Sequence, residues 1–175
     1  MLAEHDVKVM HCPSSNLKLG SGIAPVTEMR AAGITVSLGA DGDACNNHLD
    51  MFEEMRLAAL LQATRHSPGA LTARDALGMA TRAGARTLGL EHEIGSIEPG
   101  KRADLIVIDR DRPHLLPGPD PYSTIVYAGR PTDVRATIVD GDVLVDAFTP
   151  TRMDPQEIAA DASAAARELA ARARV

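Results

Sequence analysis

Asp41 is the residue whose type and setting first suggest chemistry. It follows a short apolar run, Ile34-Thr-Val-Ser-Leu38, that stops at Gly39, and Gly42 comes directly after it. The pattern predicts a buried strand whose C-terminal end presents a carboxylate, then a loop of small and polar residues, then a helix opening at Asp50. In α/β folds ligands sit outside the carboxyl ends of the strands, so Asp41 stands where chemistry is expected. A turn aspartate that satisfies local backbone donors is the competing reading, since Asp-Gly is a common turn pair. Around it, His11 ends an earlier strand, where it either lines a pocket or bonds the backbone. Ser14, Ser15 and Asn16 lie in the next loop and either touch a substrate or cap the chain. Cys45 and Asn46 follow Asp41 and face the same pocket mouth, but Cys45 has no evident basic partner to make it a nucleophile. His48, His66, His92 and His114 read as solvated, Glu53, Glu54 and Arg56 as a charged helix face, and Lys101-Arg102 as part of a turn.

The elements that must position these groups follow from the pattern along the chain. Leu2 to His5 resembles the last turn of a helix, and Val7–Met10 a short strand. Cys12 to Ser21 is rich in Ser, Pro, Asn and Gly and reads as a loop. A helix over about 24–32, stopped by Gly33, leads into the strand Ile34–Leu38; such a strand–helix–strand unit is almost always parallel and right-handed. Asp50 with Glu53 three residues on predicts a capping box and a helix to about Thr64, broken by His66-Ser-Pro-Gly69. Thr72 with Asp75 opens another helix, interrupted near Gly84. From about Glu93 the composition shifts. Gly95-Ser-Ile97, a turn at Glu98-Pro-Gly100 and the run 103–109 predict a hairpin ending in a strongly buried strand. A proline-rich connector, 113–121, follows. Val134–Val139, Asp140-Gly141 and Val143–Val145 predict a second hairpin with a type I′ turn. From Asp154 to Arg174 an Ala/Arg helix is predicted, capped by Asp154, with Pro155 first and a thin apolar stripe of Ile158, Ala162, Ala165 and Leu169.

Composition sets outer limits. The 175 residues suit one domain with a small appendage, and the core must be aliphatic, because there are only two Phe, two Tyr and no Trp beside seven Met. A net charge of −6 without a basic, aromatic-interleaved patch argues against a nucleic-acid surface. No signal peptide or long apolar span is visible, so no membrane partner is expected. Cys12 and Cys45 lack CxxC spacing and suggest reduced thiols in a cytoplasm; Cys12 also lacks the second cysteine pair of the cytidine-deaminase signature.

Four blocks, HCPSSNLKLGSGIAPV, LGADGDACNNHLDMFEEMRLAALLQ, ALGMATRAGARTLGL and IGSIEPGKRADLIVID, together resemble the amidohydrolase superfamily in its order. The likeness is strongest to the aminohydrolase and chlorohydrolase branch, which includes methylthioadenosine/S-adenosylhomocysteine deaminases and triazine hydrolases, and it covers residues 1 to about 147. It implies an α/β fold: the last two strands of a metal-dependent hydrolase (β/α)8 TIM barrel, plus part of a small β-sandwich. Residues 1–92 would be the barrel segment, 93–149 the sandwich segment and 150–175 a C-terminal helix. It implies that Asp41 is the eighth-strand aspartate, a metal ligand that also takes a proton from the water the metal activates. Zinc, with iron as alternative, is implied at one ion per complete site, and His11, Ser15, Asn16 and Cys45 are implied on the substrate side. The substrate is expected to be a small heterocyclic amine, of adenosine type in preference to a triazine.

The departures from the family pattern are equally specific. None of the six histidines stands in a His-x-His or His-x-x-Glu arrangement. A zinc site with an open position needs three or more protein ligands, and a complete (β/α)8 barrel takes about 250 residues. The chain is therefore expected to carry only part of an active site. It would be a portion of a deaminase, an inactive remnant, or a subunit needing the missing barrel half or a second copy.

Overall fold

The computed structural model describes residues 1–173. Two short strands, β1 (Val9–His11) and β2 (Val36–Leu38), pair in parallel with Val9 opposite Val36 and His11 opposite Leu38. All three residues of β2 are buried, so the strand is covered on both faces, with the Ser37 hydroxyl donating to the Val9 carbonyl at 3.4 Å. The segment after β1 is not the loop the Ser/Pro/Asn content suggests. It forms α1 (Pro13–Lys18), because Pro13 at the first helical position has its φ preset and no N–H to lose. α2 (Val26–Ala31) then returns the chain to β2, completing the parallel crossover.

α3 (Met51–Arg65) carries the core. The Asp50 side chain caps it by accepting from the Phe52 N–H at 2.8 Å. Glu53 does not close a capping box; its carboxylate sits 2.7 Å from His48 Nδ1 instead. Phe52, Met55, Ala58 and Ala59 face inward against Val26, Val36 and Leu38, together with Leu71, Ala76 and Met79 from the next helix and its approach. That helix, α4 (Ala73–Ala80), starts at the expected capping box, with Thr72 and Asp75 bonding each other's backbone N–H. It breaks at Thr81 rather than Gly84. The Thr81 hydroxyl donates to the Leu77 carbonyl at 2.7 Å and competes with the helical ladder, and Gly84 lies inside the following α5 (Arg82–Leu88).

The second sheet is antiparallel in the order β3 (Leu105–Ile108), β4 (Val134–Val139), β5 (Asp142–Asp146), β6 (Thr149–Pro150). Asp140 and Gly141 turn β4 into β5 with φ of 51° and 85°, the paired positive values of a type I′ turn. β3 departs from expectation twice. Residues 95–97 form no strand, so β3 pairs with β4 alone, and it is not strongly buried: Ile106 and Val107 are 49% and 42% exposed. Its apolar run matches burial on both faces, but among the described residues only its end residues, Leu105 and Ile108, are half-buried. Between β3 and β4 the connector coils through α6 (Pro121–Ser123) and a wide turn at Thr124–Ala128. There Arg56 of α3 donates to the carbonyls of Tyr127 and Gly129 at 3.1 and 2.9 Å. Gly129 has to lack a side chain, since a Cβ would clash with the Ile125 carbonyl and also crowd the Phe52 ring.

α7 (Pro155–Ala173) opens with Asp154 accepting from the Gln156 N–H, and none of its residues is buried. Its expected stripe faces solvent, with Ile158 and Leu169 at 49% and 59% exposure; Arg174, where the helix was expected to end, lies outside the described residues. No helix among the described residues is long and apolar enough to cross a membrane.

Candidate active site

Because β1 and β2 are parallel, their C-terminal ends lie side by side, joined there by the Gly39 N–H donating to the His11 carbonyl at 2.9 Å. Asp41 stands two residues past that bond in the left-handed region, at φ 60°, which aspartate tolerates better than most residues. Its Oδ2 accepts from the Ser15 hydroxyl at 2.7 Å and its Oδ1 from the Gly42 N–H at 2.9 Å. The Ser15 bond first, then the Gly42 N–H, hold the Asp41 carboxyl below the usual carboxylate range; slight desolvation opposes them and the Cys45 thiol adds to them. The group is exposed, ionised at neutral pH and fixed in direction by its neighbours.

The structure thus brings Ser15 and Cys45 to Asp41 and leaves two other expected residues apart from it. Asn16 takes a backbone part: its N–H donates to the Cys12 carbonyl and its own carbonyl accepts from Ser21. His11 is 3% exposed, and burial lowers its pKa, so it is a neutral imidazole at neutral pH. Its Nε2 has no hydrogen-bond partner, an orphaned buried atom at the strand end beside the site. Cys12 stays a thiol, its pKa raised by burial and then by the charges of Asp41 and Glu54.

Glu54 is the main correction to the sequence reading. It is not part of a solvated charged face but fully buried, with Oε2 accepting from the Ser14 N–H at 3.2 Å and Oε1 from Asn46 Nδ2 at 2.6 Å. Asn46 is buried too, and its Oδ1 accepts from the His48 N–H at 3.1 Å. A signal was available: Glu54 lies four residues before Ala58 and eight before Gln62, which places all three on one helix face. His114, also expected to be solvated, bonds the buried Asp133 carboxylate at 2.9 Å, far along the chain from Asp41.

A cavity of about 460 Å³, lined by Arg30, Ile34, Val36, Asp75, Met79 and Arg82 among others, opens at the start of β2, the end away from Asp41. The Asp41 carboxylate stands at the other end, past the close of β2. Among the described residues no group of three or more His, Cys, Asp or Glu converges to hold a metal ion.

Residues 1–144 match the Amidohydrolase family. The chain belongs to that family. A 5-methylthioadenosine/S-adenosylhomocysteine deaminase from Moorella thermoacetica is 51% identical over 159 residues, which are 90% of this chain and 37% of the relative. Among solved structures, an adenosine deaminase from Xanthomonas campestris with bound zinc superposes with a TM-score of 0.89 at 40% identity, covering 92% of this chain and 37% of that one. An atrazine chlorohydrolase from Arthrobacter aurescens, complexed with zinc, gives 0.86 at 33% identity, with 93% and 36% covered. The chain therefore spans under two fifths of these relatives. As an amidohydrolase it presents the C-terminal part of the family's α/β barrel, β1 and β2 being neighbouring barrel strands, with a small sheet attached.

Proposed function

We propose that this amidohydrolase chain supplies the C-terminal share of a deaminase active site, which hydrolyses the exocyclic carbon–nitrogen bond of an adenosine-type compound. The observation that carries the reading is Asp41: an ionised, exposed carboxylate at the joined ends of two parallel strands, oriented by Ser15. One zinc ion per complete site, with iron as the alternative, would supply Lewis-acid chemistry. This chain alone does not fit such an ion, since Asp41 is a single oxygen ligand and no cluster accompanies it among the described residues. The other ligands have to come from further barrel strands, on the same polypeptide or a partner, or from a second copy.

Asp41 would accept the proton of the attacking water and pass it toward the departing amine, while Ser15 and Gly42 keep its oxygens aimed. Ser15 and Cys45 border the substrate side of Asp41. His11, with its orphaned Nε2, and Asn16 are the more distant candidates. Within this reading residues 1–92 are the barrel segment, 93–149 the sandwich segment and 150–175 an appended helix, supported by the separation of the two sheets. Two cysteines without a disulfide are in keeping with a cytoplasmic setting. The likeness to the chlorohydrolase favours a second reading, displacement of chloride from a triazine by the same water chemistry.

The test combines the chain with a polypeptide carrying the first six barrel strands of a relative, then measures zinc content and turnover of an adenosine derivative and a chlorotriazine. The chain alone is expected to bind zinc substoichiometrically and turn over neither. The combination should bind about one zinc and release ammonia, Asp41→Asn should abolish that release, and His11→Ala should only weaken it. Stoichiometric zinc with turnover in the chain alone would sink the reading.

A further inference from the structure

We propose that Glu54 is a positioning residue for the Asp41 site, its buried carboxylate clasping together the two segments that hold the aspartate. Its two donors each adjoin or bond a residue that touches Asp41. Ser14 precedes Ser15, whose hydroxyl bonds Asp41 Oδ2, and the Asn46 N–H donates at 2.9 Å to the carbonyl of Gly42, whose own N–H bonds Asp41 Oδ1. Neither segment is held near Asp41 by a long element: α1 is six residues long and 42–48 is loop. The carboxylate that joins them comes from the middle of the core, on the first turn of the fifteen-residue α3, and is wholly excluded from solvent. A buried carboxylate is tolerated only where donors satisfy it, and here both oxygens face N–H groups, with no cation bonding either one among the described residues.

The polarity of this contact is fixed along its whole length. The His48 N–H takes Asn46 Oδ1, which turns Asn46 Nδ2 toward Glu54 Oε1, and the Ser14 N–H takes Oε2. Glutamine has nearly the shape of glutamate but one acceptor in place of two. Glu54→Gln therefore sets donor against donor at Ser14, at Asn46 or, if Asn46 turns over, at His48. Asn46→Asp alone sets two carboxylates face to face. Combined, the two changes restore every link: the introduced aspartate accepts from His48 and from the glutamine amide, whose oxygen accepts from Ser14. Net charge is unchanged and one methylene is neither added nor lost.

That this clasp serves catalysis rests on the reading of Asp41 given above; that it positions the segments rests on the distances alone. The experiment separates the two by using the whole chain without metal or substrate. Hydrogen exchange is followed residue by residue, and alkylation of Cys45 by iodoacetamide is followed by mass. Each single variant should speed exchange at Ser14 and Cys45, and alkylation of Cys45, by about tenfold or more, the effect of leaving a buried donor or acceptor unpaired. The Gly39 N–H, which joins β1 to β2, should keep its protection, which a general loss of stability would not allow. The double variant should return all three rates to within about twofold of the parent. Single variants that leave these rates unchanged, or a double variant no better than the singles, would overturn the proposal. Should a single variant fail to fold, the double variant against the parent remains decisive, since its failure to fold would overturn the clasp as well.

Discussion

Asp41 combines a left-handed backbone with an ionised side chain, and the two can be separated by choice of substitution. Asparagine keeps the favourable backbone, so Asp41→Asn tests the carboxylate, whereas alanine would lose the local hydrogen bonding that offsets the left-handed backbone, at a cost of about 1 kcal/mol. Ser15→Ala removes the foremost cause of the depressed Asp41 pKa, so the carboxyl signal of Asp41, followed by NMR titration, should shift upward toward the ordinary aspartate range. An unchanged midpoint would mean that Gly42 and Cys45 suffice. His11 gives a second pH dependence. Burial lowers its pKa below the ordinary 6.5, so as pH falls the unfolded chain takes up this proton before the folded one does. The stability associated with a neutral His11 is complete above about 6.5 and declines as pH drops through that value. Denaturant titrations between pH 7.5 and 5.5 should show this decline (the range is about one unit either side of the imidazole value), and His11→Asn should flatten it. The place of Asp41 just past a strand end was legible in the sequence, because the run Ile34–Leu38 stopped by Gly39 marks that end. Glu54 is harder to read, because adjacent Glu53 and Glu54 look alike in one dimension and only the four-residue spacing to Ala58 tells which side of α3 each occupies: Glu53 reaches His48, Glu54 the core.

α3 organises the elements around the site through buried polar groups as well as apolar ones. Gln62, also fully buried, donates to the Ala24 carbonyl at 2.9 Å and accepts from the Thr27 N–H at 3.4 Å. Glu54 does the same service for the start of α1 that Gln62 does for the start of α2, two turns apart on one face. Short helices of six residues are marginal by themselves, and side chains from a neighbour satisfy end groups that their own sequences leave open. α4, by contrast, caps itself. Thr72→Ala removes one half of its capping box and should cost about 1 kcal/mol in denaturant unfolding, with the Asp75–Arg30 pair at 2.7 Å left in place. This box was legible, since a cap and its partner lie three residues apart in sequence. The turn at Asp140-Gly141 was legible for the same local reason. The break at Thr81 was not: a hydroxyl turned back on its own helix leaves no mark in composition, whereas Gly84 does. β3 misled because a run of Leu, Ile and Val reports how much burial a strand suits, not how much it receives.

At the scale of the molecule, β1 and β2 pair only with each other among the described residues, so each leaves its far edge open there. Val7, Met10, Leu17 and Leu19 are exposed on and around β1, and Ile106, Val107, Val139 and Val143 on the second sheet. The 175-residue chain is accordingly expected to bind a hydrophobic dye in its native state and to associate at rising concentration. A monomer in sedimentation that leaves the dye dark would contradict this. The parallel pairing and the separate antiparallel sheet followed from periodicity and turn chemistry; the open apolar faces could be judged only with all elements in place. One helix also joins the two sheets. Glu54 and Arg56 are two residues apart on α3, about 200° around its axis. The first grips the segments at Asp41 and the second grips the connector carbonyls of Tyr127 and Gly129. One helix thus anchors both the segments at Asp41 and the connector that leads into β4, so α3 is the common mooring of the two halves of the chain.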